Sequence, residues 1–177
     1  DSPVVLFVGR LHTQKGLEHL QRTVERFAPE DSHRKLVLIG NGPLQNELAT
    51  WAKQVSGDRV RVLTWQSNIA SWIAASRVVV LPSRYEGMPN VILEAMAAGK
   101  PVVSSRVEGS QELIGHDPHQ GFELNDDTSL VHSLERFLAD EDLAKQTGQA
   151  NQSRVRSQFT VDAMVDAYRE LYAKLVA

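Results

Sequence analysis

Two glutamates eight positions apart, Glu86 and Glu94, are the side chains whose type and spacing most directly predict chemistry. Gly87 and Pro89 lie between them, and we expect them to bend the chain into a helix that begins near Asn90. A carboxylate accepts charge-assisted hydrogen bonds from sugar hydroxyls, and the first amides of a helix attract an anion. This order of groups fits a ligand that joins a sugar, a diphosphate and a ribose. A structural alternative stays open, in which Glu94 stabilises the helix start and Glu86 is a solvated loop charge.

Two glycines bracket two cations in an earlier segment, which reads Gly9-Arg10-Leu11-His12-Thr13-Gln14-Lys15-Gly16. Such a loop between a strand and a helix can direct backbone amides, Arg10 and Lys15 towards an anion. The segment has neither the dinucleotide fingerprint G-x-G-x-x-G nor the P-loop pattern. An ordinary turn with two solvated cations accounts for it equally well, and His12 is expected to have a structural role rather than to meet a substrate.

Two further loops contain residues that could face a ligand. The segment Gly40-Asn41-Gly42-Pro43 allows the backbone to approach a ligand closely, although a tight turn explains it at least as well. The segment Thr64-Trp65-Gln66-Ser67-Asn68 offers an indole as a wall for a planar ring. From the residues alone, we expect Trp65 to be packed inside the protein.

Short apolar runs that alternate with helical spacing place these loops. They predict five strands, at Val4–Val8, Leu36–Ile39, Val60–Leu63, Val78–Leu81 and Val102–Ser104. Each run is apolar nearly throughout, which is typical of parallel strands covered on both faces by helices. In open parallel sheets, ligands bind at the carboxyl ends of the strands, where all four loops are expected to lie.

Beyond Asp127 the strand pattern stops, and helices are expected over 128–138, 140–157 and 161–176. The fold class is therefore α/β, with a mainly parallel sheet and a helical C-terminal tail. The sequence has no internal repeat or linker-like run, so we expect residues 1–177 to form a single domain.

Composition excludes several classes of function. A formal net charge of −3 in 177 residues provides no positive field for a nucleic-acid backbone. The absence of cysteine excludes disulfides, thiolate metal sites and cysteine nucleophiles, and it is compatible with a cytosolic setting. No apolar run approaches the roughly 20 residues of a membrane-spanning helix. The chain starts without Met and leads straight into a strand, so we expect it to be a segment of a longer protein.

Two groups of residues resemble metal sites but are expected to be structural. The string Asp140-Glu141-Asp142 lies in the helical tail, where acidic residues favour a helix start. His116 and His119 have no partner at a zinc-binding spacing and are expected to be solvated.

Four motifs in order resemble those of the retaining glycosyltransferases of family 4, and the resemblance covers nearly the whole chain. The motifs are Gly9-Arg10-Leu11 with Lys15-Gly16, Leu38-Ile39-Gly40-Asn41-Gly42-Pro43, the E-x7-E motif from Glu86 to Glu94, and Ala98-Gly99-Lys100-Pro101-Val102-Val103. That family has the GT-B fold, in which two Rossmann-like three-layer domains face each other across a cleft. The chain resembles the C-terminal, donor-binding half.

The resemblance implies a role for each motif. Arg10 and Lys15 would grip the donor diphosphate and offset the charge that develops on the leaving nucleotide. Glu86 would orient the transferred sugar, and Glu94 would bind the ribose hydroxyls. Pro89 has no N–H to donate. The remaining donor-binding candidates are Gly9, Gly40, Gly42, Thr64, Trp65, Gln66, Gly87, Met88, Asn90 and Val91.

The implied activity is hexosyl transfer, with retention of configuration, from a UDP-, GDP- or ADP-sugar to an acceptor such as a glycan or a lipid-linked sugar. No metal or other cofactor is expected. An enzyme related to nucleotide-sugar epimerases or glycogen-type phosphorylases, and a non-catalytic nucleotide- or phosphosugar-binding module, remain as alternatives.

The resemblance also implies a partner, an N-terminal acceptor-binding domain of the same protein. Without it, this half is expected to bind nucleotide weakly and to transfer little or no sugar. An apolar face of the last helix, around Tyr168, Leu171, Tyr172 and Leu175, is then expected to be partly exposed. The implied location is cytoplasmic, and peripheral association with the inner face of the membrane stays open.

Overall fold

The computed structural model describes residues 2–30 and 32–176. Within these ranges the chain forms a six-stranded sheet in the order β3-β2-β1-β4-β5-β6, in which every neighbouring pair is parallel. The strands are β1 (Val4–Val8), β2 (Lys35–Ile39), β3 (Val60–Leu63), β4 (Val78–Leu81), β5 (Val102–Ser105) and β6 (Gly121–Phe122). Successive side chains of β4 point to opposite faces and are all fully buried, so both faces of the sheet are covered.

Helices occupy most of the chain between and after the strands. They are α1 (Leu17–Phe27), α2 (Gln45–Gln54), α3 (Ile69–Ala75), α4 (Asn90–Ala97), α5 (Ser110–Ile114), α6 (Asp127–Ala139), α7 (Glu141–Gln158) and α8 (Val161–Leu175). The apolar stripe of α1, formed by Leu17, Leu20, Val24 and Phe27, is buried in the core as its spacing predicts.

The predicted α/β class, the parallel sheet and the helical tail are confirmed. Each of the five predicted strands is present, and β2 and β5 are each one residue longer than predicted. Two short elements, β6 and α5, were not predicted. A strand of two residues shows no alternation, and the five residues of α5 are too few to show a helical period.

The acidic string at residues 140–142 starts a helix, as predicted. The Asp140 carboxylate accepts a hydrogen bond of 2.9 Å from the Leu143 amide and caps α7. Of the two loop histidines, His116 is exposed, whereas His119 is half-buried and its amide donates to Asp117 Oδ1 at 2.8 Å.

The last helix, α8, has no buried residue. Tyr168, Leu171, Tyr172 and Leu175 are each more than half exposed, which confirms the predicted exposed apolar face. No helix in the described part of the chain has the length and hydropathy needed to cross a membrane.

The pairing of β1 with β4 brings the loops that follow these two strands into contact. Gly16, just before α1, has φ 61° and ψ 31°, and a Cβ atom built on it would lie 1.9 Å from the Pro82 carbonyl oxygen. Glycine is required here for two reasons. A side chain would clash with the Pro82 carbonyl oxygen, and the left-handed backbone disfavours residues that have a Cβ atom.

Gly16→Ala should therefore destabilise the protein more than a change to alanine at a glycine of similar backbone geometry. Gly57 is the matched control, since its φ of 76° and ψ of 25° are also left-handed, but the nearest atom to its Cβ position is 3.8 Å away. Gly57→Ala should cost about 1 kcal/mol for the left-handed backbone, whereas overpacking at Gly16 should add about 1–3 kcal/mol. Urea unfolding measures both, and equal losses would contradict the steric argument.

A polar cluster joins α1 to α6. Asp127 Oδ1 lies 2.6 Å from Nδ1 of the buried His19, and Asp127 Oδ2 accepts a hydrogen bond of 2.7 Å from Arg22 Nε. These contacts hold the pKa of the Asp127 carboxyl below its ordinary value of 3.8, with the Arg22 hydrogen bond as the main cause.

Asp127→Asn should lower the free energy of unfolding by about 1–2 kcal/mol at pH 7, since a hydrogen bond to a charged group contributes about 1.5–3 kcal/mol and Arg22 is half exposed. The pKa of Asp127 is lower in the folded state, so this stabilisation is complete above the unfolded pKa. It is lost as the pH falls through the folded pKa. Urea titrations at pH 7 and in acid should therefore show the difference between wild type and variant shrinking in acid.

Asp162→Asn is the control for this prediction. Asp162 also lies in the first turn of a helix, and it forms no ion pair within the residues that the structure describes. An equal loss of stability in the two variants would assign the effect to the helix dipole and contradict the role of the cluster.

Candidate functional site

A cleft of about 370 Å³ opens at the carboxyl ends of β1 and β4. These two strands lie side by side in the middle of the sheet, where the strand order changes direction, and in open α/β sheets this is the usual position of a ligand site. The cleft is lined by Val8, Gly9, Lys15, Trp65, Glu86, Met88, Pro89, Asn90, Val91 and Glu94.

An ion pair between Lys15 and Glu86 is the main electrostatic feature of the cleft. Lys15 Nζ lies 2.5 Å from Glu86 Oε1, and the two side chains are only 17% and 9% exposed. Lys15 ends a single 3₁₀ turn, Thr13–Lys15, at whose start His12 Nδ1 accepts a hydrogen bond of 3.2 Å from the Gln14 amide. His12 thus has the structural role that was predicted for it.

Residues on either side of the ion pair fasten the two loops together. The Arg84 amide donates to the Gln14 carbonyl oxygen at 2.8 Å, and Gln14 Nε2 donates to the Tyr85 carbonyl oxygen at 3.1 Å. The Arg84 guanidinium forms an ion pair with Glu18 in the first turn of α1. Sequence reasoning missed Gln14, because no local pattern shows that its amide reaches a carbonyl 71 positions away.

The start of α4 provides backbone donors beside the ion pair. Pro89 precedes the helix, contributes no N–H and has no capping side chain. Within the residues that the structure describes, no group accepts a hydrogen bond from the amides of Asn90 and Val91. Free amides at a helix N-terminus carry partial positive charge and suit an anion. Glu94 follows one turn later, is exposed and also lines the cleft.

Trp65 differs from its predicted state. The expectation that it is packed inside the protein is wrong, because its side chain is 58% exposed and faces the cleft. The reason is the position of its loop, which follows β3 at the edge of the sheet, where one side of the strand has no neighbour. Asn41 Oδ1 accepts a hydrogen bond of 3.2 Å from the Trp65 amide and ties this loop to the loop after β2.

Gly40 and Gly42, two of the donor-binding candidates, lie very close to the protein backbone. A Cβ atom on Gly40 would lie 1.9 Å from the Gly9 carbonyl oxygen, and one on Gly42 would lie 2.2 Å from the Leu11 carbonyl oxygen. Neither glycine is among the residues that line the cleft, and both pack against the loop after β1.

The fold brings together eight of the predicted site residues in the cleft lining, namely Gly9, Lys15, Trp65, Glu86, Met88, Asn90, Val91 and Glu94. Six others lie outside it, namely Arg10, Gly40, Gly42, Thr64, Gln66 and Gly87. Sequence reasoning also missed Val8 as a lining residue; its apolar run marks it only as part of a strand.

Arg10 is exposed, and in the described part of the chain no side chain forms an ion pair with it. It follows directly after Gly9, which lines the cleft, but Arg10 itself is not a lining residue. Among residues 2–30 and 32–176, no group of three or more His, Asp or Glu side chains is arranged to hold a metal ion.

Comparison with known proteins finds relatives over the whole chain. Residues 2–140 match the family model described as glycosyl transferases group 1. The lipopolysaccharide core biosynthesis glycosyltransferase LpsE of Rhizobium meliloti is 34% identical over 98% of this chain and 50% of its own length. The chain thus spans about half the length of this curated relative.

Solved structures share the fold. Sucrose-phosphate synthase from Thermosynechococcus elongatus is 30% identical, with a TM-score of 0.83 over 98% of this chain and 46% of that protein. HepE of Anabaena, solved in complex with UDP and glucose, is 23% identical, with a TM-score of 0.84 over 98% of this chain and 48% of its own. These likenesses confirm the prediction of a Rossmann-like domain that forms one half of a GT-B fold. The family match extends over more than three quarters of the chain, which therefore belongs to the glycosyl transferases group 1 family.

Proposed function

We propose that this chain is the donor-binding half of a retaining glycosyltransferase, which takes a hexose from a nucleoside diphosphate sugar and transfers it to a glycan or a lipid-linked sugar. The observation that carries the proposal is the composition of one cleft. A half-buried cation, two free helix amides and two carboxylates line it together, as a sugar, a diphosphate and a ribose require.

The diphosphate is assigned to the centre of the cleft. Lys15, Asn90 and Val91 line it. Arg10 follows the cleft-lining Gly9 in the sequence and is proposed to add its charge to the diphosphate site. When the C1–O bond of the donor breaks, its electron pair passes to a phosphate oxygen. Cations and amides already oriented towards that oxygen stabilise the new charge without reorganisation. The acceptor hydroxyl then bonds to C1 on the face that the phosphate leaves, which retains the configuration, and its proton passes to the released phosphate oxygen.

The two glutamates are assigned to the hydroxyl groups at the two ends of the donor. Glu86 is nearly buried, so its carboxylate accepts hydrogen bonds in a site of low dielectric and suits the transferred sugar. Glu94 lies one turn into α4, lines the cleft, is exposed and suits the ribose. The exposed indole of Trp65 then offers a stacking surface to the base.

A UDP-sugar is the donor that the comparisons favour, because HepE shares this fold and was solved with UDP and glucose. The proposed partner is an acceptor-binding half of the same protein. It would cover the apolar face of α8, whose exposed tyrosines and leucines have no cover within the described chain.

Glu94→Ala should weaken nucleotide binding in the full-length protein by about 1–3 kcal/mol, since it removes a hydrogen bond to a charged group. Calorimetric titration with UDP, GDP and ADP, each with and without its common sugar, measures the loss and identifies the base. Glu47→Ala is the control, because Glu47 is an exposed glutamate on α2 outside the cleft. Unchanged affinity in Glu94→Ala would contradict the ribose assignment, and a wild-type protein that binds none of these ligands at millimolar concentration would contradict the proposed function.

Trp65→Ala should also weaken binding by about 1–3 kcal/mol, the usual contribution of a base stacked on an aromatic ring. Trp65→Phe keeps an aromatic face and should retain most of the affinity. Nucleotide should quench tryptophan fluorescence in the wild type but much less in Trp65→Phe, because Trp51 and Trp72 lie outside the cleft lining. Full affinity in Trp65→Ala would contradict stacking.

A further inference from the structure

We infer that Gln14 is a positioning residue, which keeps Glu86 in place for the transferred sugar when the donor diphosphate competes for Lys15. The inference rests on the proposed function and assigns a task to a residue that lies outside the cleft lining. It follows from three features of the loops after β1 and β4.

The first feature is that Gln14 bonds to both residues just before Glu86. Its carbonyl oxygen accepts a hydrogen bond of 2.8 Å from the Arg84 amide, and its Nε2 donates to the Tyr85 carbonyl oxygen at 3.1 Å. The backbone of Gln14 is itself held, since its amide donates to His12 Nδ1 at 3.2 Å. One residue thus fixes the main chain of 84 and 85 from the opposite loop.

The second feature is that the carboxylate of Glu86 has a single partner. Within the residues that the structure describes, Lys15 is the one group that forms a hydrogen bond or ion pair with this carboxylate, at 2.5 Å. A donor diphosphate carries more negative charge than one carboxylate, so it attracts the same ammonium group strongly. Once Lys15 turns towards the phosphates, the position of Glu86 depends on its backbone.

The third feature is that, apart from the Lys15–Glu86 ion pair and the Gln14 bonds, the described contacts between these two loops involve residues before Tyr85. Gly16 packs against Pro82, and Glu18 pairs with the side chain of Arg84. Within the residues that the structure describes, the side chain of Gln14 is the group that hydrogen-bonds to the Tyr85 carbonyl oxygen. The loops would therefore remain attached without this amide, and Gly109 would still pack against the carbonyl oxygens of Glu86 and Gly87. The Tyr85 carbonyl would nevertheless lose its hydrogen bond from Gln14, so the peptide that joins Tyr85 to Glu86 would be less restrained. Shifts of about 1 Å at a reacting group can cost up to 100-fold in rate.

The test uses Gln14→Met and Gln14→Glu in the full-length protein. Methionine keeps the length of the side chain without a donor, and glutamate keeps its shape but cannot donate to the Tyr85 carbonyl oxygen when ionised. We expect both to lower kcat about 10- to 100-fold. We expect Gln14→Met to bind free nucleoside diphosphate within about threefold of the wild type, because the groups assigned to diphosphate and ribose are unchanged.

Gln152→Met is the matched control. Gln152 Nε2 also donates to a backbone carbonyl, that of Ala97 at 2.8 Å, but it does so between α7 and the last turn of α4, outside the cleft. Its kcat should equal that of the wild type. Circular dichroism and thermal unfolding of all variants establish whether they are folded.

Several outcomes would overturn the inference. One is wild-type kcat in Gln14→Met, and another is an equal loss of affinity for free nucleoside diphosphate and of kcat, which would indicate general damage to the cleft. Failure of both Gln14 variants to fold would assign the residue to stability alone. Failure of the proposed function is distinct, because it would appear in the wild type as the absence of binding and transfer.

Discussion

The parallel pairing of β1 with β4 is the contact on which the candidate site depends. These strands are separated by about 70 positions in the sequence, yet their carboxyl ends lie side by side because the chain adds β2 and β3 on one side of β1 before it returns to the other side. The loops that follow them must then share one space. Gly16 allows the close approach, and Lys15 and Glu86 meet as a consequence.

The ion pair between Lys15 and Glu86 determines how the cleft can receive a charged ligand. A buried lysine without a partner would pay a large desolvation cost, and so would a buried glutamate. Together they offset this cost while the cleft holds no anion. The pair also couples two proposed binding events, since a phosphate that takes the ammonium releases the carboxylate for hydroxyl groups. The free amides of α4 then matter because they attract phosphate without adding another charge to be desolvated.

Features that depend on local burial can be predicted from the sequence, whereas contacts between distant loops cannot. Strands such as β4 are predictable because burial on both faces demands an unbroken apolar run. Lys15 and Glu86 can also be recognised as candidate site residues, since each lies in a distinctive loop. Their ion pair cannot be predicted in this way, because it depends on the order of strands in the sheet. Gly40 and Gly42 show a further limit. A glycine indicates that another group approaches the backbone closely, but the fold is needed to show whether that group is a ligand or another loop.

Trp65 shows the same limit for an apolar side chain. Hydrophobic type predicts burial on average, and an indole after a strand of mixed burial is expected to pack. The edge position of β3 leaves it without a neighbour on one side, and that position is a property of the whole sheet.

The exposed half of the cleft explains why a second domain belongs to the proposed mechanism. Trp65 and Glu94 are open to water, and water screens the attraction between Lys15 and a phosphate. Excluding that water strengthens every charge interaction in the cleft and keeps the activated sugar from hydrolysis. The fold already shields the Lys15 and Glu86 side of the cleft. Under the proposed function, the acceptor-binding half would cover the remaining side and bring the acceptor, so its closure would complete binding and shielding in one step.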